Sequence, residues 1–222
     1  VLITAGPGTG KTYTLVQRAI YLIEECNVRP ESIFIATFTE KAAKELVTRI
    51  TNELANRNIT ANINEMYIGT FHSLCLRMLK EHLEYTRLRR NYRLMDSFDQ
   101  QYMVFQNIHR FRSIPEIEIV LPNGGAWKQA ETICNFVNNL SEELVSPEEL
   151  MSDHDPSIAS LGRMLQEYRT ILTEANLMDF SSIQIEAYRL LCDNEGILNE
   201  LRSAITHIMV DEYQDTNYIQ EQ

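Results

Sequence analysis

The chain has little with which to cross-link, cross a membrane or hold a structural metal. Its four cysteines, Cys26, Cys75, Cys134 and Cys192, are far apart and form no C-x-x-C pair. That spacing excludes a zinc ribbon and a disulfide framework, so no structural metal is expected. Free thiols buried among apolar helical neighbours, in a reducing cytosol, are expected instead. No apolar run approaches the ~18–20 residues of a membrane span, and no leader pattern opens the sequence, so a cytoplasmic protein with no membrane partner is expected. Basic residues are outnumbered as well. The formal net charge of −11 over 222 residues argues against a generally basic surface that coats nucleic acid. Internal repeats and low-complexity tracts are missing too. An apolar fraction of 44% and a charged fraction of 23% leave an ordinary globular chain, long enough to bury a core.

What is present begins at once. Val1-Leu2-Ile3 reads as a short strand and leads into Ala5-Gly6-Pro7-Gly8-Thr9-Gly10-Lys11-Thr12, after which a helical stripe starts. Strand, glycine-rich loop, Gly-Lys-Thr and helix together make a phosphate cradle. The glycines let the loop curl and aim backbone N–H groups at a nucleotide's phosphates, and the helix adds its partly positive N-terminus. Lys11 can reach the β- and γ-phosphates, and the Thr12 hydroxyl can ligate Mg²⁺. Ala5 stands where the usual pattern has glycine, which is tolerable at negative φ. Residues 5–12 are therefore the expected ATP-binding loop.

The first part of the chain alternates short apolar runs with helical patterns, as a parallel sheet with crossover helices does. Helical stripes run over Thr12–Cys26, Glu40–Leu54 and Phe71–Leu83, and strands over Ile33–Thr37 and Met66–Gly69. From about Tyr92 the texture turns helical. Helices are expected over Asp96–Phe111, Ala126–Val145, Pro147–Met151, Ile158–Glu174 and Phe180–Cys192. A strand returns at His207–Val210. Arg77, Lys80, Arg87, Arg89, Arg90 and Arg93 cluster around the change of texture, and a solvated helix face and a phosphate-contacting patch are equally good readings of them.

The strand at 207–210 ends in Asp211-Glu212. After a phosphate loop in the same chain, such a pair has a chemical reading. Asp211 suits Mg²⁺ beside Thr12, and Glu212, one residue beyond the metal acid, can deprotonate the attacking water. Together the two segments imply hydrolysis as well as binding.

Four segments in order then carry a family resemblance that covers essentially the whole chain. Asp211-Glu212-Tyr213-Gln214-Asp215-Thr216-Asn217 resembles motif II of the UvrD/Rep-type superfamily 1 helicases, D-E-x-Q-D-x-x. Thr37-Phe38-Thr39-Glu40-Lys41-Ala42-Ala43 resembles their motif Ia, T-F-T-N-K-A-A, with Glu40 in place of Asn. Gly69-Thr70-Phe71-His72-Ser73 resembles the T-F-H-S motif. Asn176-Leu177-Met178-Asp179-Phe180 resembles the start of L-x-D-F-D-D-L, with Ser181-Ser182 in place of the two later acids. The resemblance implies an α/β fold: a P-loop NTPase (RecA-like) parallel sheet with helices on both faces, plus a mostly helical inserted subdomain. It implies a core 1A over residues 1–90, an insertion 1B over 91–178, and a return of the core over 179–222.

It further implies that Lys11, Glu212 and Gln214 are catalytic, with Gln214 sensing the γ-phosphate, and that Thr12 and Asp211 hold the metal. Phe38, Thr39, Lys41, Thr70, Phe71 and His72 would line a single-stranded DNA track. The residues alone leave several of these open. Phe38 and Phe71 suit base stacking or a core equally well, His72 suits a structural role, and Lys41 suits DNA or a surface cap. Tyr213 reads as packing, and Trp127 gives no signal. The chain opens inside an apolar run and stops soon after the acidic pair, which reads as a segment of a longer protein. By resemblance the adenine-reading glutamine lies before Val1. The γ-phosphate-clamping arginines follow Gln222, on a second RecA-like domain. The implied activity is that of an ATP-dependent 3′-to-5′ DNA helicase or translocase, with the isolated segment weakly active. A helicase-nuclease half and an ATP-switched DNA-repair scaffold are the alternatives.

Overall fold

The computed structural model describes residues 1–222 except Ala5, Pro7 and Pro122. In chain order its elements are α1 (Lys11–Glu24), β1 (Ile33–Thr37), α2 (Glu40–Asn56), β2 (Tyr67–Thr70), α3 (Phe71–Glu81), β3 (Arg93–Leu94), α4 (Ser97–Gln106) and α5 (Ile108–Arg112). There follow α6 (Ala126–Glu142), α7 (Pro147–Met151), α8 (Pro156–Ala175), β4 (Leu177–Met178), α9 (Phe180–Asp193), α10 (Glu195–Ala204), β5 (His207–Val210) and α11 (Tyr218–Glu221). The fold is α/β, with a small parallel sheet and many helices.

The chain divides into two compact units, residues 1–78 with 191–216 and residues 79–190 with 217–222. Both divisions fall inside helices, α3 and α9, whereas the composition shift read from the sequence lies near residue 90.

In the first unit, β1 is the centre of a three-stranded parallel sheet of order β2-β1-β5. Register pairs Thr37 with Thr70 on one side and Ala36 with Val210 on the other, so all three strands end at the same edge. The ladder continues one residue beyond β5, where the Asp211 N–H donates to the Ala36 carbonyl at 2.9 Å. The core is aliphatic. Val16, Ala19 and Ile20 of α1 and Leu46, Ile50 and Leu54 of α2 pack with Ile33 and Ile35 of β1. Their i, i+3, i+4 and i+7 spacing on the two helices is what buries one face of each. Each such side chain, taken fully out of water, contributes about 1.5–3 kcal/mol.

The second unit is held by α4, α6 and α8 around Met103, Val104, Phe111, Ile133, Val137, Met164, Leu165 and Tyr168. β3 and β4 form a two-residue parallel ladder that the sequence did not announce, pairing Arg93 with Leu177 and Leu94 with Met178. Packing of α7 on α8 is close at Gly162. A Cβ there would lie 2.7 Å from the Met151 nitrogen and 2.8 Å from the Pro147 carbonyl oxygen.

Four sequence expectations are corrected. Val1–Ile3 is not a strand and is exposed, because β5 closes the sheet and no strand among the described residues offers it a ladder. The single helix expected over Asp96–Phe111 is two, broken at Asn107 (φ −100, ψ 13), whose side-chain amide bonds the Met103 carbonyl. Helix α10 was not expected. Cys26 and Cys192 are exposed, not buried; Cys134 alone is in a core.

Candidate functional site

The glycines of the loop are placed where other residues would be strained. Gly8 and Gly10 have φ of 74° and 93°, left-handed values that an L side chain resists. Thr9 tightens the turn by donating its hydroxyl to the Gly6 carbonyl at 2.7 Å. Gly10 is the N-cap of α1 and supplies no side-chain cap, which leaves the first backbone N–H groups of the helix open toward an anion. Ala5 and Pro7 of the expected loop lie outside the described residues.

Lys11 opens α1 and Glu212 follows β5, yet the Lys11 Nζ stands 2.8 Å from Glu212 Oε2. Gln214 Nε2 donates to the same oxygen at 2.8 Å. These hydrogen bonds, Lys11 first and Gln214 second, hold the Glu212 carboxyl below its ordinary value. The bond from Glu212 raises the Lys11 ammonium in turn, against desolvation. Glu212 reaches Lys11 from a backbone turned left-handed (φ 53, ψ 44) immediately after the strand, a conformation uncommon for a non-glycine residue and typical of sites under functional constraint. Asp211, next to it, behaves oppositely. Burial, and then the neighbouring Glu212 charge, push its carboxyl up.

A nucleotide phosphate and a divalent cation fit these residues. The Lys11 ammonium already holds an anionic oxygen, with the Glu212 carboxylate standing in for a phosphate. Asp211 is a desolvated carboxylate, the kind of oxygen donor Mg²⁺ takes. Thr12, half-buried in the first turn of α1, is the hydroxyl donor the sequence assigns to the same cation. Among the described residues no cluster of three or more His, Cys, Asp or Glu side chains forms a protein-only metal cage.

The other candidates gather at the carboxyl ends of β1 and β2. Because Thr37 and Thr70 are in register, the residues that follow them, Phe38 and Phe71, leave adjacent strands side by side. Their rings meet edge to face, with centroids 5.7 Å apart, and both are half-buried. The Thr39 hydroxyl caps α2 by accepting from the Ala42 N–H at 3.1 Å, and Lys41 is exposed in the first turn. His72 is half-buried at the start of α3. Thr70 is only 7% exposed. Its hydroxyl donates to Glu40 Oε1 at 3.2 Å and accepts from the Ser73 N–H at 3.1 Å, so both of its hydrogen-bonding roles are taken. Sequence reading missed that coupling, although Glu40 in the Asn position of the motif was its signal.

The basic cluster is divided. Arg77 stacks over the Tyr67 ring at 3.9 Å, Arg87 pairs with buried Glu186 at 2.8 Å, and Arg93 pairs with Asp99 at 2.8 Å. Tyr213, expected to pack, is 50% exposed.

Comparison with known proteins follows the same motifs. The family model described as the UvrD/REP helicase N-terminal domain matches residues 1–222. The ATP-dependent DNA helicase SRS2 of Saccharomyces cerevisiae is 34% identical over 98% of this chain and 19% of its own length. DNA helicase II of Haemophilus influenzae is 34% identical over 99% of this chain and 29% of its own. DNA helicase II of Escherichia coli is 31% identical over 99% and 28%. The chain thus spans from about a fifth to three-tenths of these relatives. With the family model matching end to end, the chain belongs to the UvrD/REP helicase N-terminal domain family.

Proposed function

We propose that this chain is the ATP-binding and ATP-hydrolysing core of a 3′-to-5′ DNA helicase or translocase that moves on single-stranded DNA. The carrying observation is the meeting of Lys11, Glu212 and Gln214 within 2.8 Å contacts across some two hundred residues. On this reading the sheet unit is a RecA-like P-loop core and the helical unit is its insertion.

Lys11 and the α1 N-terminus bind and orient the phosphates of ATP, displacing the Glu212 carboxylate from the lysine. Thr12 and Asp211 hold Mg²⁺, whose chemistry is to neutralise charge on the phosphate oxygens. Released from Lys11, Glu212 accepts the proton of the attacking water, and Gln214 keeps its carboxylate oriented. Gln214 is well placed to report the change, since its bond to Glu212 is broken or kept with the state of the lysine. Phe38 and Phe71, two residues past the paired strands' last ladder positions, offer ring faces to bases, with Thr39, Lys41, Thr70 and His72 beside them. Turnover needs a second core domain of the parent protein, which supplies further cations at the phosphates.

Steady-state ATPase of the full parent protein, with and without single-stranded DNA and single-stranded RNA, tests the proposal. Strong stimulation by DNA and loss of activity in Lys11→Ala are expected. ATPase indifferent to both nucleic acids would replace the motor by an ATP-switched module.

A further inference from the structure

On the helical unit, three aromatic residues recur at i, i+4 and i+7 along α4: Phe98, Tyr102 and Phe105. Trp127, at the start of α6, joins them. Phe98 and Tyr102 lie nearly parallel with centroids 6.3 Å apart, and Tyr102 and Phe105 follow at 6.4 Å. Trp127 closes the group at 5.8 Å from Phe98 and 5.6 Å from Phe105. These rings are not the core stripe of α4, which is Gln100, Met103 and Val104. They are 64%, 45%, 37% and 41% exposed in the order 98, 102, 105, 127.

An aromatic side chain buries 150–250 Å² when enclosed, so the quartet presents on the order of 400 Å² of ring surface. A patch of that size is seldom left on a soluble surface without use. It is also about half of the ~800 Å² that each partner commits to a stable protein interface, but ample for two or three stacked bases. Cations sit at its two ends. Arg93 is tied to Asp99, the neighbour of Phe98, and Lys128, the neighbour of Trp127, is tied to Glu131; both cations are 66% exposed. Exposed ion pairs of this kind are worth at most about 1 kcal/mol, so either cation can exchange its carboxylate for a phosphate.

We propose that Phe98, Tyr102, Phe105 and Trp127 form a stacking platform for single-stranded DNA, with Arg93 and Lys128 at its ends on the phosphodiester backbone. The proposal rests on membership in a DNA helicase family and is independent of Phe38 and Phe71. Binding of fluorescein-labelled oligo(dT) to the full parent protein tests it, using a Phe98→Ser, Tyr102→Ser double variant whose thermal melt matches wild type. Roughly tenfold weaker binding is expected, and an oligonucleotide carrying 5-iododeoxyuridine is expected to photo-cross-link to the peptides holding residues 98–105 or Trp127. Unchanged affinity, or cross-links confined to other peptides, overturns the proposal. So does concentration-dependent self-association in sedimentation velocity that the double variant abolishes while DNA affinity stays the same, since the patch is then a protein contact. Phe38→Ala in the same assay separates the two surfaces: no effect there removes the Phe38–Phe71 track and leaves this platform standing.

Discussion

Lys11 Nζ and Glu212 Oε2 are 2.8 Å apart, and their side chains are 31% and 38% exposed. A pair this accessible is exchangeable, and each partner is held by the other for work that needs them separated. A phosphate that claims Lys11 must displace Glu212. Replacing Glu212 by Gln removes the charge that competes for the lysine, so ATP·Mg²⁺ should bind the parent protein at least as tightly while turnover falls by roughly 10²- to 10⁴-fold. Lys11→Ala should instead weaken nucleotide binding by tenfold or more, the loss expected for a hydrogen bond to a charged group. Equilibrium titration with a fluorescent ATP analogue and single-turnover hydrolysis separate the two effects. Retained turnover in the glutamine variant would remove Glu212 from the role of base.

Gly162 shows packing that tolerates no added atom. A methyl there would press on the backbone of Met151 and Pro147 and on the Leu150 Cβ, all within 2.8 Å, and backbone cannot rotate away as a long side chain does. Gly162→Ala should therefore lower stability by about 1–3 kcal/mol despite alanine's better helix propensity. Gly196, in α10, meets nothing within 4 Å of the same added atom, so Gly196→Ala should be neutral or stabilising by up to about 1 kcal/mol. Urea unfolding of the two variants checks the contrast; equal effects would mean the α7–α8 contact is looser than it stands here.

The four thiols should react in two classes. Desolvation pushes the Cys75 and Cys134 thiols up to about 12, so at pH 8 almost none is thiolate, the reactive form. Cys26 and Cys192 are exposed. An aromatic disulfide reagent at pH 8 should titrate two thiols quickly and the other two only on unfolding. Four fast thiols would show that the helix carrying Cys134 opens readily.

Legibility in the sequence followed the kind of force involved. β1 was read with its bounds intact because its apolar run is flanked by turn signals, and the Lys11–Glu212 site because each half is a motif with its own chemistry. Where a feature depends on a distant partner, the sequence was silent or misleading. Val1–Ile3 has the residues of a strand but no ladder to join. The Phe98, Tyr102 and Phe105 spacing, like any aromatic stripe on a helix, reads as core until the fold shows Met103 and Val104 turned inward instead. Thr70 looked free to bind a ligand, and only the register of β1 with β2 reveals Glu40 and Ser73 on its hydroxyl.

Asp179 makes the last case, since its segment was legible as a motif but not as chemistry. The residue is 3% exposed. Its Oδ1 accepts from the Ser182 N–H at 2.7 Å, while the Ser182 hydroxyl oxygen accepts from the Asp179 N–H at 2.8 Å. That is a reciprocal cap of α9 made by the serine that stands where the family has an acid. The other oxygen, Oδ2, accepts from the Tyr168 hydroxyl and, at 3.2 Å, from Gln100 Nε2. Burial first, and then the Asp179 charge, hold the Tyr168 phenol well above its ordinary value. Tyr168 is therefore a fixed donor. Asp179→Ala deletes the acceptor and strands two buried donors, so it should cost about 2–4 kcal/mol in urea unfolding. Tyr168→Phe removes one of those donors beforehand. The double variant should accordingly be less destabilised than the sum of the singles, by about 0.5–3 kcal/mol, the range for residues sharing one network. Strict additivity would mean that the two residues act separately, the carboxylate on α9 alone and the phenol on α8 alone.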